Sequence, residues 1–312
     1  MSVLSYIPFT NKAENTALPS VICLGNFDGV HIGHARLLEE TVKICRSSDD
    51  NIRACALCFV PFPSDFFSKT HVRHIMSTKE KLDTFKKMGL DGAYICNFEE
   101  IHDYSPSRFI KDILINSCAC KGVVCGFNYR FGHRAAGTPK DLEAVFDTFK
   151  MIDPVMMNWQ TVSSSLIKEN IEKGNISSAN EMLGRPFSIT HTVVHGKNLG
   201  IKLGFPTLNH IFKTNELIPA FGIYATTTTV DNDHYVSVTN IGTRPTVSDS
   251  DIVTCETHII ACDNGIDLYG REIKVSFFKK IRDEKRFSSL DELSAAIALD
   301  VETAKNYFSS QK

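Results

Sequence analysis

Short apolar runs alternate with amphipathic stretches along the first half of the chain. Val21–Leu24 reads as a buried strand that breaks at Gly25. A helix follows from about Gly33 to Arg46, with Leu37, Leu38, Thr41, Val42 and Cys45 on its buried side. Ala54–Val60 is a second apolar run, stopped by Pro61 and Pro63. Ser77 stands three before Glu80 in a capping-box pattern, opening a helix with Leu82, Phe85 and Met88 inward that Gly89 ends. Gly92–Asn97 is the next strand, and Ser105-Pro106 opens a helix that buries Phe109, Ile110, Ile113 and Leu114. Val123–Gly126, a helix from Thr138-Pro139, and a strand at Met151–Met157 complete the series. Such alternation with short links predicts a parallel sheet covered on both faces, with ligands beyond the carboxyl ends of its strands.

The pattern then changes. Val162–Leu183 reads as two short helices broken at Gly174 and Gly184, and Gly184-Arg185-Pro186 is taken as a domain boundary, giving domains 1–184 and 185–312. Beyond it come short strands at Ile189–His195, Ile223–Val230, His234–Asn240, Thr254–Ala261 and Glu272–Arg282. Turns such as Asp231-Asn232-Asp233 and Asp263-Asn264-Gly265 separate them. An all-β barrel fits. A final helix follows Ser289, whose capping box Glu292 completes, and its apolar stripe is Leu293, Ala296, Ile297, Val301, Ala304 and Phe308. At 312 residues the chain is long enough for two cores.

Composition narrows the function more than the fold. Hydrophobic content of 43% and charged content of 22% are those of a globular protein, and a formal net charge of -2 argues against a nucleic-acid-binding surface. No apolar run approaches membrane-spanning length and Met1–Asn11 lacks a leader pattern, so a cytoplasmic protein without a membrane partner is expected. Cys55 and Cys58 form C-x-x-C on a strand, where residues three apart point to opposite faces and cannot grip one ion. Cys118, Cys120 and Cys125 read as small core hydrophobes. His71 and His74 read as solvated loop residues.

Chemistry concentrates in two stretches. In Val21–His34, VICLGNFDGVHIGH, Gly25, Gly29 and Gly33 keep bulk away from the backbone, and His31 and His34 fall one helical turn apart, on one face. Two imidazoles beside free N–H groups at a helix N-terminus suit the phosphates of a bound nucleotide. The same two histidines could instead be solvated or cap a loop. In Gly196–Asn209, GKNLGIKLGFPTLN, Gly196, Gly200 and Gly204 recur every four residues and let backbone wrap a phosphate chain. Thr207 and Asn209 then place two hard oxygen ligands on one side, as magnesium prefers. Read blandly, the stretch is a glycine-rich surface loop. Glu256, within Thr254-Cys255-Glu256-Thr257-His258, is either surface-facing or a catalytic carboxylate.

Together these motifs resemble the bacterial bifunctional riboflavin kinase/FAD synthetase family over nearly the whole chain. GNFDGVHIGH, GFNYRFG at Gly126–Gly132 and the serine run Val162–Ser165 resemble its FMN adenylyltransferase module. Gly204-Phe205-Pro206-Thr207-Leu208-Asn209, NIGTRPT at Asn240–Thr246, CETHI at Cys255–Ile259 and DLYGREIKV at Asp267–Val275 resemble its riboflavin kinase module. The resemblance implies a Rossmann-like parallel-sheet nucleotidyltransferase domain joined to a six-stranded β-barrel with a terminal helix. It implies ATP plus riboflavin giving FMN, then ATP plus FMN giving FAD and pyrophosphate. It assigns His31 and His34 to adenylyl transfer, with Gly25, Phe27, Asp28, Gly33, Ser163, Ser164 and Lys168 at the ATP and Asn128 at the flavin. In the kinase it assigns Gly196, Gly204, Pro206, Thr207 and Asn209 to ATP, Thr207 and Asn209 also to Mg²⁺, Glu256 as base, and Arg282 to a flap over the flavin.

The two reactions ask for different side chains. The FMN phosphate, with a second pKa of about 6, is largely dianionic at neutral pH and needs positioning and charge stabilisation rather than a base. A ribityl hydroxyl holds its proton, so a carboxylate within reach is useful. Three positions depart from the family pattern. Phe62 stands where a proline-flanked histidine is usual. Lys168 replaces an arginine and keeps the charge but not the two-pronged grip. His191 replaces a glycine. Losing one preorganised phosphate donor costs about 3–4 kcal/mol of transition-state stabilisation. The alternatives to a bifunctional enzyme are therefore a riboflavin kinase with a regulatory or binding-only N-terminal domain, and a flavin sensor without turnover.

Overall fold

The computed structural model describes residues 3–10, 16, 18–48, 51–68, 72–196, 199–231, 233–244, 252–260 and 268–310. His71, Ala261, the turn at 263–265, Asn232, and parts of the NIGTRPT and DLYGREIKV motifs lie outside the described residues. The chain divides into two compact units, 1–164 and 165–312.

The first unit is built on strands β1 (Leu4–Pro8), β2 (Ser20–Leu24), β3 (Arg53–Val60), β4 (Gly92–Asn97), β5 (Cys120–Gly126) and β6 (Thr148–Ile152). They lie side by side in the order β1-β4-β3-β2-β5-β6. From β4 through to β6 every neighbouring pair is parallel; only β1 runs antiparallel, against β4. Alternation along the strands sends Ile22, Leu24, Cys55 and Leu57 to one face and Val21, Cys23, Ala54, Ala56 and Cys58 to the other. Burial on both faces explains why these strands read as unbroken apolar runs. Cys55 and Cys58 do take opposite faces. Helix Ile32–Arg46 covers one face through Leu37, Leu38 and Cys45. Strand order reverses at β2, so a crevice opens at its carboxyl end beside β5, the usual ligand position in such sheets.

Three details differ from the sequence reading. The final strand of the series is Thr148–Ile152 rather than Met151–Met157, because Pro154 has no N–H to continue the ladder. Chain beyond it forms a two-stranded ribbon, β7 (Met156–Met157) and β8 (Gln160–Thr161), turned at Asn158 and Trp159 with positive φ. After the short helix Pro106–Arg108 the backbone widens to a π-helix over Phe109–Ser117, seen in Cys118 N–H donating to the Ile113 carbonyl. Edge strand β1 was not legible, since its five residues are mostly half-buried and show no apolar run.

The second unit begins with helices Ser164–Glu172 (entered at the division) and Ile176–Leu183. Strands β9 (Phe187–Thr192), β10 (Leu208–Ile211), β11 (Gly222–Val230), β12 (Asp233–Arg244), β13 (Ile252–Ile259) and β14 (Glu272–Arg282) follow. They form an antiparallel sheet in the order β10-β13-β12-β11-β14-β9. A bridge from Val194 to Asn209 joins the edges and closes the six strands into a barrel. Strand β10 is short and half polar, which hid it. Buried hydroxyls of Thr226, Thr228, Ser237, Thr239 and Thr257 satisfy one another in a chain across the sheet. Helix Leu290–Ser309 packs Val301, Ala304 and Phe308 on Ile223, Ala225 and Val238. Ser289 caps it by accepting from Glu292 N–H, but the Glu292 carboxylate reaches Ser288 instead of Ser289.

Candidate functional site

In the first unit the loop from Gly25 to His31 leaves the carboxyl end of β2 and enters helix Ile32–Arg46. His31 is its N-cap: Nδ1 accepts from Gly33 N–H at 3.1 Å and His34 N–H at 3.3 Å. The proton must therefore sit on Nε2, which becomes a donor. A side chain at Gly33 would press within 3.0 Å of the His31 ring and displace the cap. His34 stacks on His31 with ring centroids 3.7 Å apart and planes 19° from parallel. Both imidazoles thus meet at one spot. The N–H groups of Gly33 and His34, expected to be open to a phosphate, are instead taken by His31. Burial first, and the neighbouring His31 next, hold His34 well below the ordinary imidazole range, so at neutral pH it is an uncharged donor or acceptor.

The rest of the loop is braced rather than offered to solvent. Phe27 is wholly buried with φ of 53°, its ring against Phe85 and His34 and close over Gly25, where a Cβ would come within 3.0 Å. Only its backbone can meet a ligand. Asp28 is buried and accepts from Ile75 N–H at 2.9 Å, while its carbonyl accepts from Ser164 Oγ at 2.8 Å. Asn128 is exposed just past β5, on the other side of the crevice's strand pair. Ser163 precedes helix Ser164–Glu172, and Lys168 lies one turn along it, in the second unit.

Two residues here escaped the sequence reading. Lys81 is almost entirely buried, donates to the Asn26 carbonyl at 3.0 Å, and sets its ammonium 3.9 Å from the Phe62 ring centroid. Burial lowers its pKa. Its signal was a lysine four before Phe85, on the apolar side of its helix. His74 is not a solvated loop residue: its ring stacks on Phe62 at 4.2 Å, Nε2 meets Asp65 at 2.9 Å, and Nδ1 lies 3.6 Å from Asp28. Phe62 is consequently packed inside, with His74 and Lys81 against it.

In the second unit a cavity of about 350 Å³ opens between the barrel and its C-terminal helix, a size suited to a small organic ligand. Thr207, Glu256, Asn240, Arg282 and Glu284 line it, with Phe205, Phe287, Leu293 and Ile297 as its apolar walls. Glu256 therefore faces a pocket, resolving what its strand left open. Register pairs Glu256 with Asn209 on one side and Asn240 on the other, a row across three strands. Asn209 is buried and donates to the Thr207 carbonyl at 3.2 Å, and Gly196 lacks a Cβ where that amide packs. Gly204 turns with φ of 82° in open space. The Pro206 carbonyl accepts from His258 Nδ1 at 2.9 Å, fastening this loop to β13. Arg282, expected on a mobile flap, is fixed by Asp300 of the C-terminal helix through contacts of 2.9 Å and 2.7 Å. His191 pairs with Glu216 at 2.7 Å, and its ring lies 6.0 Å from buried His210.

Family comparison divides the chain the same way as its chemistry. A riboflavin kinase family matches residues 183–308 and an FAD synthetase family matches residues 13–166. The bifunctional riboflavin kinase/FMN adenylyltransferase of Escherichia coli (strain K12) is 33% identical over 300 residues, covering 94% of each chain. That of Buchnera aphidicola subsp. Schizaphis graminum is 32% identical over 93% of this chain and 94% of its own. The chain belongs to the bifunctional riboflavin kinase/FMN adenylyltransferase family. The family enzyme of Bacillus subtilis (strain 168) is 29% identical over 93% of both chains. A crystal structure described as a macrolide-efflux protein from Streptococcus pneumoniae superposes with a TM-score of 0.86 at 29% identity, over 96% of this chain and 98% of its own. That description belongs to the pneumococcal protein; the shared feature is the fold. Among the described residues no helix is long and apolar enough to cross a membrane.

Proposed function

We infer that the chain phosphorylates riboflavin to FMN with ATP and adenylylates FMN to FAD with release of pyrophosphate, and we propose which residues do each. The observation that supports the division is Glu256 facing the barrel cavity, paired in register with Asn209 and Asn240, in one unit, and a stacked histidine pair at a helix start in the other. We assign the transfer of the adenylyl group to residues 1–184 and the kinase to residues 185–312.

In the kinase, Glu256 takes the proton of the ribityl terminal hydroxyl as its oxygen attacks the γ-phosphorus of ATP. Thr207 and Asn209 orient the phosphates, with Gly196, Gly204 and Pro206 shaping the loop around them. Their oxygens, with Asn209 nitrogen already committed to a carbonyl, form a hard-ligand set that fits Mg²⁺. When bound, that ion would screen the phosphate charge. Arg282, held by Asp300, is assigned to the flavin side of the cavity.

In adenylyl transfer the FMN phosphate attacks the α-phosphorus already ionised. His31 donates from Nε2 to the phosphate oxygen that gains charge, and His34 supports the stack beside it. With His34 neutral, stabilisation comes from directed donors and the nearby buried Lys81 rather than from two imidazolium charges. Gly25, Phe27 and Asp28 shape the loop; Gly33 leaves room for the His31 ring. Ser163, Ser164 and Lys168 are assigned to ATP, and Asn128 to the flavin, on motif resemblance. We place both reactions in the cytoplasm, a reducing compartment that suits the free thiols of the nine described cysteines. The test is a time course with riboflavin, Mg²⁺ and ATP that follows FMN and FAD separately. Sequential appearance of both products is expected; FMN accumulating without FAD would leave only the kinase.

A further inference from the structure

The chain's one tryptophan, Trp159, stands at the turn of the β7–β8 ribbon, 96% exposed, and its ring has no partner among the described residues. Asn158 and Trp159 take φ of 48° and 63°. Two central residues at positive φ make the tight hairpin turn that asparagine followed by glycine fits best. Asn158 obeys that rule and Trp159 breaks it. A bulky side chain at positive φ is strained, and no burial of the ring offsets the strain. Strain kept without a packing return points to a task for the side chain.

The ribbon is rooted at the histidine pair. At its base Val162 N–H donates to the Val155 carbonyl at 2.9 Å, and both side chains are buried. Val155 Cγ2 lies 3.9 Å from where a Gly33 Cβ would stand. Beyond β8 the chain runs through Ser163 to Ser164, whose Oγ donates to the Asp28 carbonyl. Ile152, just ahead of the ribbon, packs on the sheet face that helix Ile32–Arg46 covers. Tyr129 and Phe131, next to Asn128, pack on the opposite face. The ribbon therefore rises on the side assigned to the nucleotide, away from the loop assigned to the flavin.

We propose that Trp159 stacks on the adenine ring of the ATP consumed in adenylyl transfer. This rests on the assignment of His31, Ser163 and Ser164 to that nucleotide. Trp159 stands three residues from Val162, about 10 Å at the rise of a strand, the room that a ribose and base take up beyond phosphates held at His31. A base offers its π-face to an aromatic side chain, and a ring on a two-residue turn can meet it while the base of the ribbon stays on Gly33. The indole then buries on the nucleotide the surface it exposes without it. Trp159 is thus a positioning residue for ATP and has no part in the transfer of charge.

The test measures FAD formation by the full chain from added FMN and ATP, with inorganic tripolyphosphate, which carries the phosphates without the base, as inhibitor. Trp159→Ala is expected to raise the ATP KM about tenfold and to leave the FMN KM and the tripolyphosphate inhibition constant unchanged, with Trp159→Phe recovering most of the loss. Trp159→Gly gives the turn the residue it favours, so the ATP KM should rise equally while thermal unfolding stays at the parent temperature or above it. FMN formation from riboflavin serves as the check that the chain is folded. An unchanged ATP KM in Trp159→Ala, or a raised FMN KM in its place, would overturn the proposal. Equal weakening of ATP and tripolyphosphate would mean a structural role and overturn it too. Failure of the adenylyl-transfer reading shows separately, as a parent chain that forms no FAD. Stacking is then read from the emission of the same tryptophan, which ATP should shield from acrylamide and tripolyphosphate should not; equal quenching with and without ATP would refute it.

Discussion

One substitution separates the helix cap that His31 provides from the chemistry proposed for it. Its Nδ1 caps the helix, at 3.1 and 3.3 Å from two backbone N–H groups, and its Nε2–H is the donor proposed for the reacting phosphate. Asparagine is among the best N-caps, so His31→Asn keeps the acceptor and loses the donor, whereas His31→Ala loses both and destabilises the helix by about 1 kcal/mol. Removing one preorganised donor to a developing charge costs about 3–4 kcal/mol, a fall of about 100- to 1000-fold in rate. FAD formation from FMN and ATP should drop by that factor in His31→Asn. Thermal unfolding should stay near that of the parent, and FMN formation from riboflavin should be unaffected. FAD formation within about threefold of the parent would refute the role of Nε2. Equal loss of both activities would refute the separation of cap from chemistry.

Two further expectations concern the barrel. Burial, then His191, lower the pKa of His210 from 6.5 to about 4. A base depressed in the folded state stabilises above its unfolded pKa, so about 3 kcal/mol of stability at most should be lost as pH falls from 6.5 to about 4. Urea unfolding across that range checks it, and His210→Leu should flatten the acid limb; an unchanged limb would contradict the assignment. Arg282→Met leaves the buried Asp300 carboxylate unpaired and should cost about 3 kcal/mol, most of it recovered in the double variant Arg282→Met/Asp300→Leu. A loss under about 1 kcal/mol in the single variant, by denaturant unfolding, would show the pair to be dispensable.

Both folds were legible because their periodicities differ: apolar runs with helical spacing in one half, short alternating strands with glycine and asparagine turns in the other. What escaped was set by tertiary contact. Strands β1 and β10 gain their place from the partners they pair with, β4 and β13, and not from their own composition. His74 looked solvated because Asp28 and Asp65, its partners, lie far from it or on another element in sequence. Lys81 was visible only as a charge out of pattern. Glu256 could be named but not aimed, since a strand residue's face depends on register. The imidazole pair was readable from its spacing, while its protonation was not: burial makes His34 neutral, and that depends on what the fold packs around it.

In the mechanism proposed for this chain, one half-reaction needs a proton acceptor and the other needs none. Glu256→Gln, assayed in parallel with riboflavin plus ATP and with FMN plus ATP, separates them most directly. FMN formation should fall by about 100-fold or more while FAD formation from added FMN persists at the parent rate. Unimpaired FMN formation in that variant, or loss of both products together, would contradict it.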